Sequence, residues 1–402
     1  MSERLGPLVA LRRHLRIGTL IAATTAAAAL TDLALRTLPA DRYSFRVWEA
    51  MRTPGVPSPF RPNRQYHRDD VYGNLASLAN LPGRREYRAQ TFTTDALGYH
   101  TVPELGGRDA VAAILFGTSQ SAGAEVNDDE TLSARLTAVT GRVAYNAAAG
   151  DQSLWQMRAL AARLGLAEGV IMVEPPDEGD LPPMSPGPGD PPAARCGAIV
   201  VALNLEAACD HAVRRARGLR VSPLRIFAQR ALKIVQNDRW LPNPYSGLAL
   251  QARLRNGDTT LFLPLERARF HEPRCEERFA RYLSWLARKL ERDRIRLVVV
   301  LVPKKFTVYA PLLDPPEPGI DQMARFHERL ERRLRDAGIS VVNLTGPFQA
   351  AAAAGLDARA YIYWNDDTHW NARGIAVAAR EVAHVWCALP GAGCQVPEPG
   401  RP

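Results

Sequence analysis

Ala110-Val111-Ala112-Ala113-Ile114-Leu115-Phe116-Gly117-Thr118-Ser119 is an apolar run that ends in a small-residue turn carrying a serine. A continuous apolar run of this length, without polar alternation, predicts a strand buried on both faces. Amphipathic helices and further apolar runs follow it in alternation. Thr131 to Val139 reads as a helix with Leu132, Leu136 and Val139 on one face, Arg142 to Ala147 as a second strand, Leu154 to Leu164 as a helix, and Gly169 to Val173 as a third strand. The pattern breaks at Pro175, because the eight prolines from Pro175 to Pro192 suit neither a helix nor a central strand.

Regularity returns near residue 271. Glu276 to Glu291 places Phe279, Leu283, Leu286 and Leu290 on one helical face. Arg296 to Val302 is the most apolar strand, Asp321 to Ala337 a helix stopped by Gly338, Ile339 to Leu344 a fifth strand, and Trp370 to Trp386 the last helix. Between the two regular parts, Thr260 to Leu263 is strand-like and two pieces are helical. Buried strands separated by helices predict an α/β fold, a central parallel sheet with helices on both sides. Ligands of such sheets sit beyond the carboxyl ends of the strands, where Ser119 lies.

The expected organisation is a cytoplasmic N-terminus at 1–16, an apolar segment at 17–35, a lead-in at 36–108, the first part of the α/β domain at 109–175, a Pro-rich linker and insertion at 176–270, the second part at 271–390, and a tail at 391–402. Ile17 to Leu35 is apolar except for Thr, Gly and Asp32, and Arg4, Arg12, Arg13 and Arg16 precede it. Nineteen residues from 17 to 35 just suffice to cross a bilayer. The arginines keep the N-terminus cytoplasmic, so the remainder is exported. The reading is an uncleaved anchor in a bacterial inner membrane, with a cleaved signal peptide at Ala26 to Ala29 as the alternative.

Hydrophobic residues make up 46% of the 402 and charged residues 23%, a globular composition. The net charge of +9 is spread over scattered arginines and forms no dense block, so no nucleic-acid partner is expected. Of five cysteines, Cys387 and Cys394 are close enough to bridge, as are Cys196 and Cys209, which leaves Cys275 free. None has histidine neighbours at zinc-ligand spacing, so neither a metal nor another cofactor is expected.

Near the C-terminus stands Asn365-Asp366-Asp367-Thr368-His369-Trp370-Asn371. An Asp and a His two residues apart can supply the orienter and the base of a triad whose nucleophile is Ser119. Asp366 is the alternative orienter, and either aspartate suits the first turn of a helix.

Several stretches resemble the SGNH (GDSL-like) hydrolases. Gly117-Thr118-Ser119 with Gly123, Glu125-Val126 and Glu130-Thr131-Leu132 is similar to their nucleophile block. Val143-Ala144-Tyr145-Asn146-Ala147 with Gly150 is similar to their second-strand motif, and Asp367-Thr368-His369-Trp370 to their terminal block. Pro303-Lys304-Lys305-Phe306-Thr307-Val308-Tyr309 resembles a segment of the alginate O-acetyltransferase-like branch, and Thr93-Thr94-Asp95-Ala96-Leu97-Gly98-Tyr99 resembles a lead-in of membrane-anchored relatives.

The resemblance implies an SGNH-like three-layer sandwich with Ser119, His369 and Asp367 as catalytic residues. It also implies an oxyanion hole from Ser119 and Gly123. Asn146 is a candidate third donor. Lys305, Tyr309 and Trp370 are the candidate polysaccharide contacts, with Trp364 a further stacking surface. The implied function is O-acetyl transfer to an exported polysaccharide in the periplasm, with a membrane-bound O-acyltransferase supplying acetyl groups. The alternatives are a carbohydrate acetyl esterase and a non-catalytic polysaccharide-binding component. Two positions depart from the family pattern. Thr118 replaces the usual Asp before the nucleophile, and the third strand ends in Glu174-Pro175-Pro176-Asp177 where an oxyanion-hole Asn is usual.

Overall fold

The structure is a computed structural model that describes residues 5–38, 60–101, 111–149, 152–176, 222–237 and 242–396. Helix α1 (Leu5–Leu35) comes first, and its Arg16–Leu35 stretch is long and apolar enough to cross a membrane. An antiparallel pair follows, β1 (Arg64–Val71) and β2 (Arg88–Thr94), with the short helix α2 (Asn74–Leu78) between them. The α/β part begins with β3 (Ala113–Phe116), α3 (Leu132–Thr140), β4 (Ala144–Asn146), α4 (Leu154–Arg163) and β5 (Gly169–Val173). Helix α5 (Pro223–Asn237) and the hairpin β6 (Leu250–Arg253) and β7 (Thr259–Phe262) occupy the region read as an insertion.

The chain continues through α6 (Pro264–His271), α7 (Glu277–Glu291), β8 (Ile295–Leu301), α8 (Lys305–Tyr309) and α9 (Gln322–Asp336). It closes with β9 (Ser340–Asn343), α10 (Thr345–Gly355) and α11 (Ala372–Cys387).

The five-stranded sheet runs β4-β3-β5-β8-β9 and every pairing in it is parallel. Its two faces separate by the period-two rule. Ala113, Leu115, Val298 and Val300 face a core completed by α3, α10 and α11, whereas Ile114, Phe116, Leu297 and Val299 face one completed by α4, α7 and α9. These are the three layers, and each fully buried Val or Leu contributes about 1.5–3 kcal/mol. The chain leaves β3 for β4 on one side and returns to β5 on the other. The crevice of the sheet therefore opens at the carboxyl end of β3.

The strands expected at 110–116 and 142–147 are shorter than their apolar runs, and 102–110 lies outside the described residues. The last helix starts at Ala372, not Trp370. Its N-cap is Asn371, whose Oδ1 accepts from the N–H groups of Arg373 and Gly374. Asp366 and Asp367 therefore do not cap it. Cys387 and Cys394 are bonded and Cys275 is a free, exposed thiol, whereas Cys196 and Cys209 lie outside the described residues.

Candidate active site

The turn after β3 begins at Gly117, where a Cβ would meet Ser121 Cβ at 2.6 Å and Glu174 Oε2 at 2.8 Å, so only glycine fits. Glu174 holds this turn. Its Oε1 accepts from the Thr118 hydroxyl at 2.6 Å, and its Oε2 accepts from the Thr118 N–H at 3.0 Å, the Ser121 hydroxyl at 2.7 Å and the Ser121 N–H at 3.2 Å. The two departures from the family pattern, Thr118 and Glu174, are thus bonded to each other. Together they rigidify the loop that presents half-buried Ser119.

Ser119 Oγ lies 2.8 Å from His369 Nε2, and His369 Nδ1 lies 2.5 Å from Asp367 Oδ1. The carboxylate fixes the tautomer: Nδ1–H donates to Asp367, which leaves Nε2 free to accept from the serine hydroxyl. Asp367 is itself pinned. Its Oδ1 accepts from the His369 N–H at 2.8 Å and its Oδ2 from the Asn74 N–H. Gln120 ties the two turns together, donating to Thr368 O at 3.0 Å and accepting from the Trp370 N–H at 3.1 Å, while the Trp370 indole N–H donates to Gln120 O at 2.9 Å.

Asp366 does different work. Its Oδ2 accepts from the N–H groups of Gly73 (2.6 Å) and Glu86 (2.9 Å), and its Oδ1 from Arg88 at 3.1 Å. Its backbone oxygen accepts from the N–H groups of Leu75 and Ala76 at the start of α2. A Cβ on Gly73 would sit 2.1 Å from that oxygen, so the approach requires glycine.

Arg88 organises the charges behind His369. Its guanidinium reaches Glu125 and Asp366, each at 3.1 Å, stands 3.9 Å from Asp367, and stacks 4.2 Å above the Trp364 ring. Burial alone would lower its pKa, but Glu125, Asp366 and Asp367 together raise it above the usual value. Burial, partly opposed by Arg88, holds the Asp366 carboxyl above the usual carboxylate range. Donor atoms of Glu125, Asp367 and His369 lie within 4.8 Å of one another, a spacing that could suit a metal ion. The Arg88 guanidinium already pairs with both carboxylates of that group.

Replacing Arg88 with methionine should therefore lower stability by about 3–5 kcal/mol, because three buried carboxylates lose their cation. Denaturant unfolding measures this, and a change below about 1 kcal/mol, the range of an exposed pair, would contradict the burial argument.

The remaining expected site residues are placed differently. Lys305 is 1% exposed, and its Nζ donates to the backbone oxygens of Leu261, Trp364, Asn365 and Asp367. Burial pulls its pKa down to about 8, against the attraction of Glu266, Asp366 and Asp367. It holds the Asp-x-His turn from below and does not face solvent. Tyr309 is also buried, accepts from the Ile362 N–H at 3.0 Å, and is pushed by burial up to about 12. Trp370 is 1% exposed. These three are corrected from polysaccharide contacts to packing and positioning residues. Lys305→Met should cost about 1–3 kcal/mol, because four buried backbone oxygens lose the ammonium and those of Trp364 and Asn365 keep only weaker neutral donors such as the Asp367 and Leu261 N–H groups. Thermal melts read this, and an unchanged or raised midpoint would show that those carbonyls do not need the ammonium.

The oxyanion donors are also revised. Gly123 (φ +72°) donates its N–H to Gln120 O at 3.1 Å. The buried Asn146 amide donates to His100 O and Ala122 O and accepts from the Ala148 N–H. Both groups are committed to the turn. The Ser119 N–H has no hydrogen bond among the described residues and remains available.

Residues 261–396 match the family profile described as "SGNH hydrolase-like domain, acetyltransferase AlgX". That stretch is the C-terminal third of the chain, and it is similar to SGNH hydrolase-like domains. Over 98 residues the chain is 35% identical to the Azotobacter vinelandii protein named "Probable alginate O-acetylase AlgJ". That match covers 23% of this chain and 23% of the relative, less than a quarter of the relative's length. Among solved structures, a candidate SGNH hydrolase from Slackia heliotrinireducens is 12% identical with a TM-score of 0.33, covering 69% of this chain and 99% of that one. The acetyl xylan esterase AlAXEase is 10% identical with a TM-score of 0.36, covering 69% and 100%. The expected SGNH-like fold and alginate O-acetyltransferase-like branch agree with the family match. Ser119 lies outside the matched stretch, as do Asn74, Glu86 and Arg88, so the residues gathered around His369 come from both inside and outside that stretch.

Proposed function

We propose that this protein transfers O-acetyl groups to an exported polysaccharide through an acetyl-Ser119 intermediate. The observation that carries this reading is the run of contacts Ser119 Oγ, His369 Nε2, His369 Nδ1 and Asp367 Oδ1, at 2.8 Å and 2.5 Å. The similarity to the AlgX profile and to the AlgJ relative supports acetyl chemistry on a polysaccharide.

In the first half-reaction His369 Nε2 takes the Ser119 proton as Oγ bonds to the acetyl carbonyl carbon. The oxyanion so formed is met by the Ser119 N–H. As the C–O bond to the leaving group breaks, His369 returns the proton to that group, and the acetyl remains on Oγ. In the second half a polysaccharide hydroxyl loses its proton to His369 and attacks the same carbon. The Oγ–acetyl bond then breaks, and His369 returns the proton to Oγ. Asp367 holds the imidazole and stabilises its charged form in both halves.

In the same proposal residues 17–35 are a single-pass anchor in a bacterial inner membrane and the α/β domain is periplasmic. Acetyl groups then reach Ser119 from a membrane-bound O-acyltransferase. The test is incubation of the full chain with an aryl acetate, with and without an oligosaccharide acceptor, followed by peptide mass spectrometry. Acetyl on the peptide containing Ser119, and its passage to the acceptor, is the expected result. Release of acetate alone, even with acceptor in excess, would make the protein an acetyl esterase. No acylation of Ser119 would overturn the reading.

A further inference from the structure

Helix α5 (Pro223–Asn237) is turned inside out. Ala228, Ala231, Leu232 and Val235 follow the i, i+3, i+4, i+7 spacing of a single stripe, with Leu224 and Phe227 extending it and Ile234 beside it. In a soluble domain such a stripe faces the core. Here Leu232 is 43% exposed, Ile234 63% and Val235 49%, and Ala228 and Ala231 are exposed as well. The inward side is the polar one. Lys233 Nζ donates to Ser77 O at 2.7 Å, Asn80 Nδ2 donates to Lys233 O at 3.2 Å, and Gln236 is buried.

The position of the helix says what covers the stripe. Its N-terminus is held by Asp32, whose Oδ1 accepts from the Ser222 hydroxyl at 2.5 Å and the Leu224 N–H at 3.1 Å. Asp32 lies in the last turn of α1, at the end of the apolar Arg16–Leu35 stretch, none of which is buried in the protein. The apolar face of α5 therefore begins where the apolar span stops. The helix has no acidic residue, and exposed Arg225 and half-buried Arg230 stand at the edges of the stripe, whereas the third basic residue, Lys233, points inward. An apolar stripe flanked by cations is the pattern of a helix lying in the headgroup layer of an anionic bilayer.

We infer that α5 lies on the surface of the membrane that α1 crosses, with Leu232 and Val235 in the lipid. It acts as a strut. Its other side holds α2, whose first residues hold Asp366 and Asp367, so the helix sets the height of the triad above the bilayer. The inference rests on the reading of α1 as a membrane anchor.

A genetically encoded fluorescent amino acid, placed in turn at Leu20, Val235 and exposed Arg281, tests it in the full chain. The chain is reconstituted in vesicles of phosphatidylethanolamine and phosphatidylglycerol carrying nitroxide-labelled lipid. Several-fold quenching at 20 and at 235, with none at 281, is expected, and 235 should respond most to nitroxides near the headgroups. Quenching at 20 but not at 235 overturns the inference and leaves the anchor standing. No quenching at 20 overturns the anchor itself. A probe at 235 that is shielded from water yet untouched by lipid nitroxide means that a second copy or another segment covers the stripe, which also overturns the inference.

Discussion

Replacing Ser119 with alanine is expected to lower turnover of a small acetyl ester by ~10⁶, the scale on which a serine hydrolase loses rate when its nucleophile is removed. The fold should survive. The side chain is half-buried and its hydroxyl contacts His369, so the change removes about 1 kcal/mol of hydrogen bonding. Glu174 continues to hold the turn through Thr118 and Ser121. The measurement is ester hydrolysis beside a thermal melt. Activity within a few-fold of the native chain would reject Ser119 as nucleophile, and a collapsed melt would show that the turn depends on more than Glu174.

Asp367→Asn is expected to reduce turnover by about 10⁴, the loss seen when an amide replaces the orienting carboxylate of a serine hydrolase. An amide can present its NH₂ to His369 Nδ1, which then accepts, so Nε2 carries the proton and can no longer take one from Ser119. Asp366→Asn separates the neighbouring carboxylate's role. The amide keeps one oxygen, which can still accept from the Gly73 and Glu86 N–H groups, but it sets an NH₂ against Arg88 in place of the acceptor there, at a cost of about 1–3 kcal/mol for the stranded buried donors. Turnover of the molecules that remain folded should fall far less than for Asp367→Asn. Dead Asp366→Asn with active Asp367→Asn would shift the triad by one residue and contradict the 2.5 Å contact between Asp367 and His369.

What the sequence discloses here is what is local and periodic. Apolar runs such as Leu297 to Val302 are legible as buried strands because both their faces meet helices. Asp367 and His369 are legible because two roles sit two residues apart. Arg88 is not legible, since nothing near it in sequence distinguishes it from the other arginines, and its partners lie 37 and 278 residues away. Glu174 first appears as a departure from a pattern, and only its contacts with Thr118 and Ser121 reveal its part. Lys305 and Tyr309 follow the strand that ends at the site edge, which suggests exposure. A motif cannot report that a lysine turns inward to gather four carbonyls. Asp366 reads as a cap by propensity, yet Asn371 takes the cap and frees Asp366 for the lead-in.

The bonds from Gly73, Glu86 and Arg88 to Asp366 span 293, 280 and 278 residues. They bear on the order of events during synthesis. The lead-in is made early, and its N–H groups and guanidinium then wait for acceptors that arrive only with the last tenth of the chain. A nascent chain that carries Ser119 lacks both its base and the support behind that base. On the proposed reading, activation of Ser119 waits for synthesis of residues 366–369, and a chain released before residue 366 carries that serine without His369 beside it.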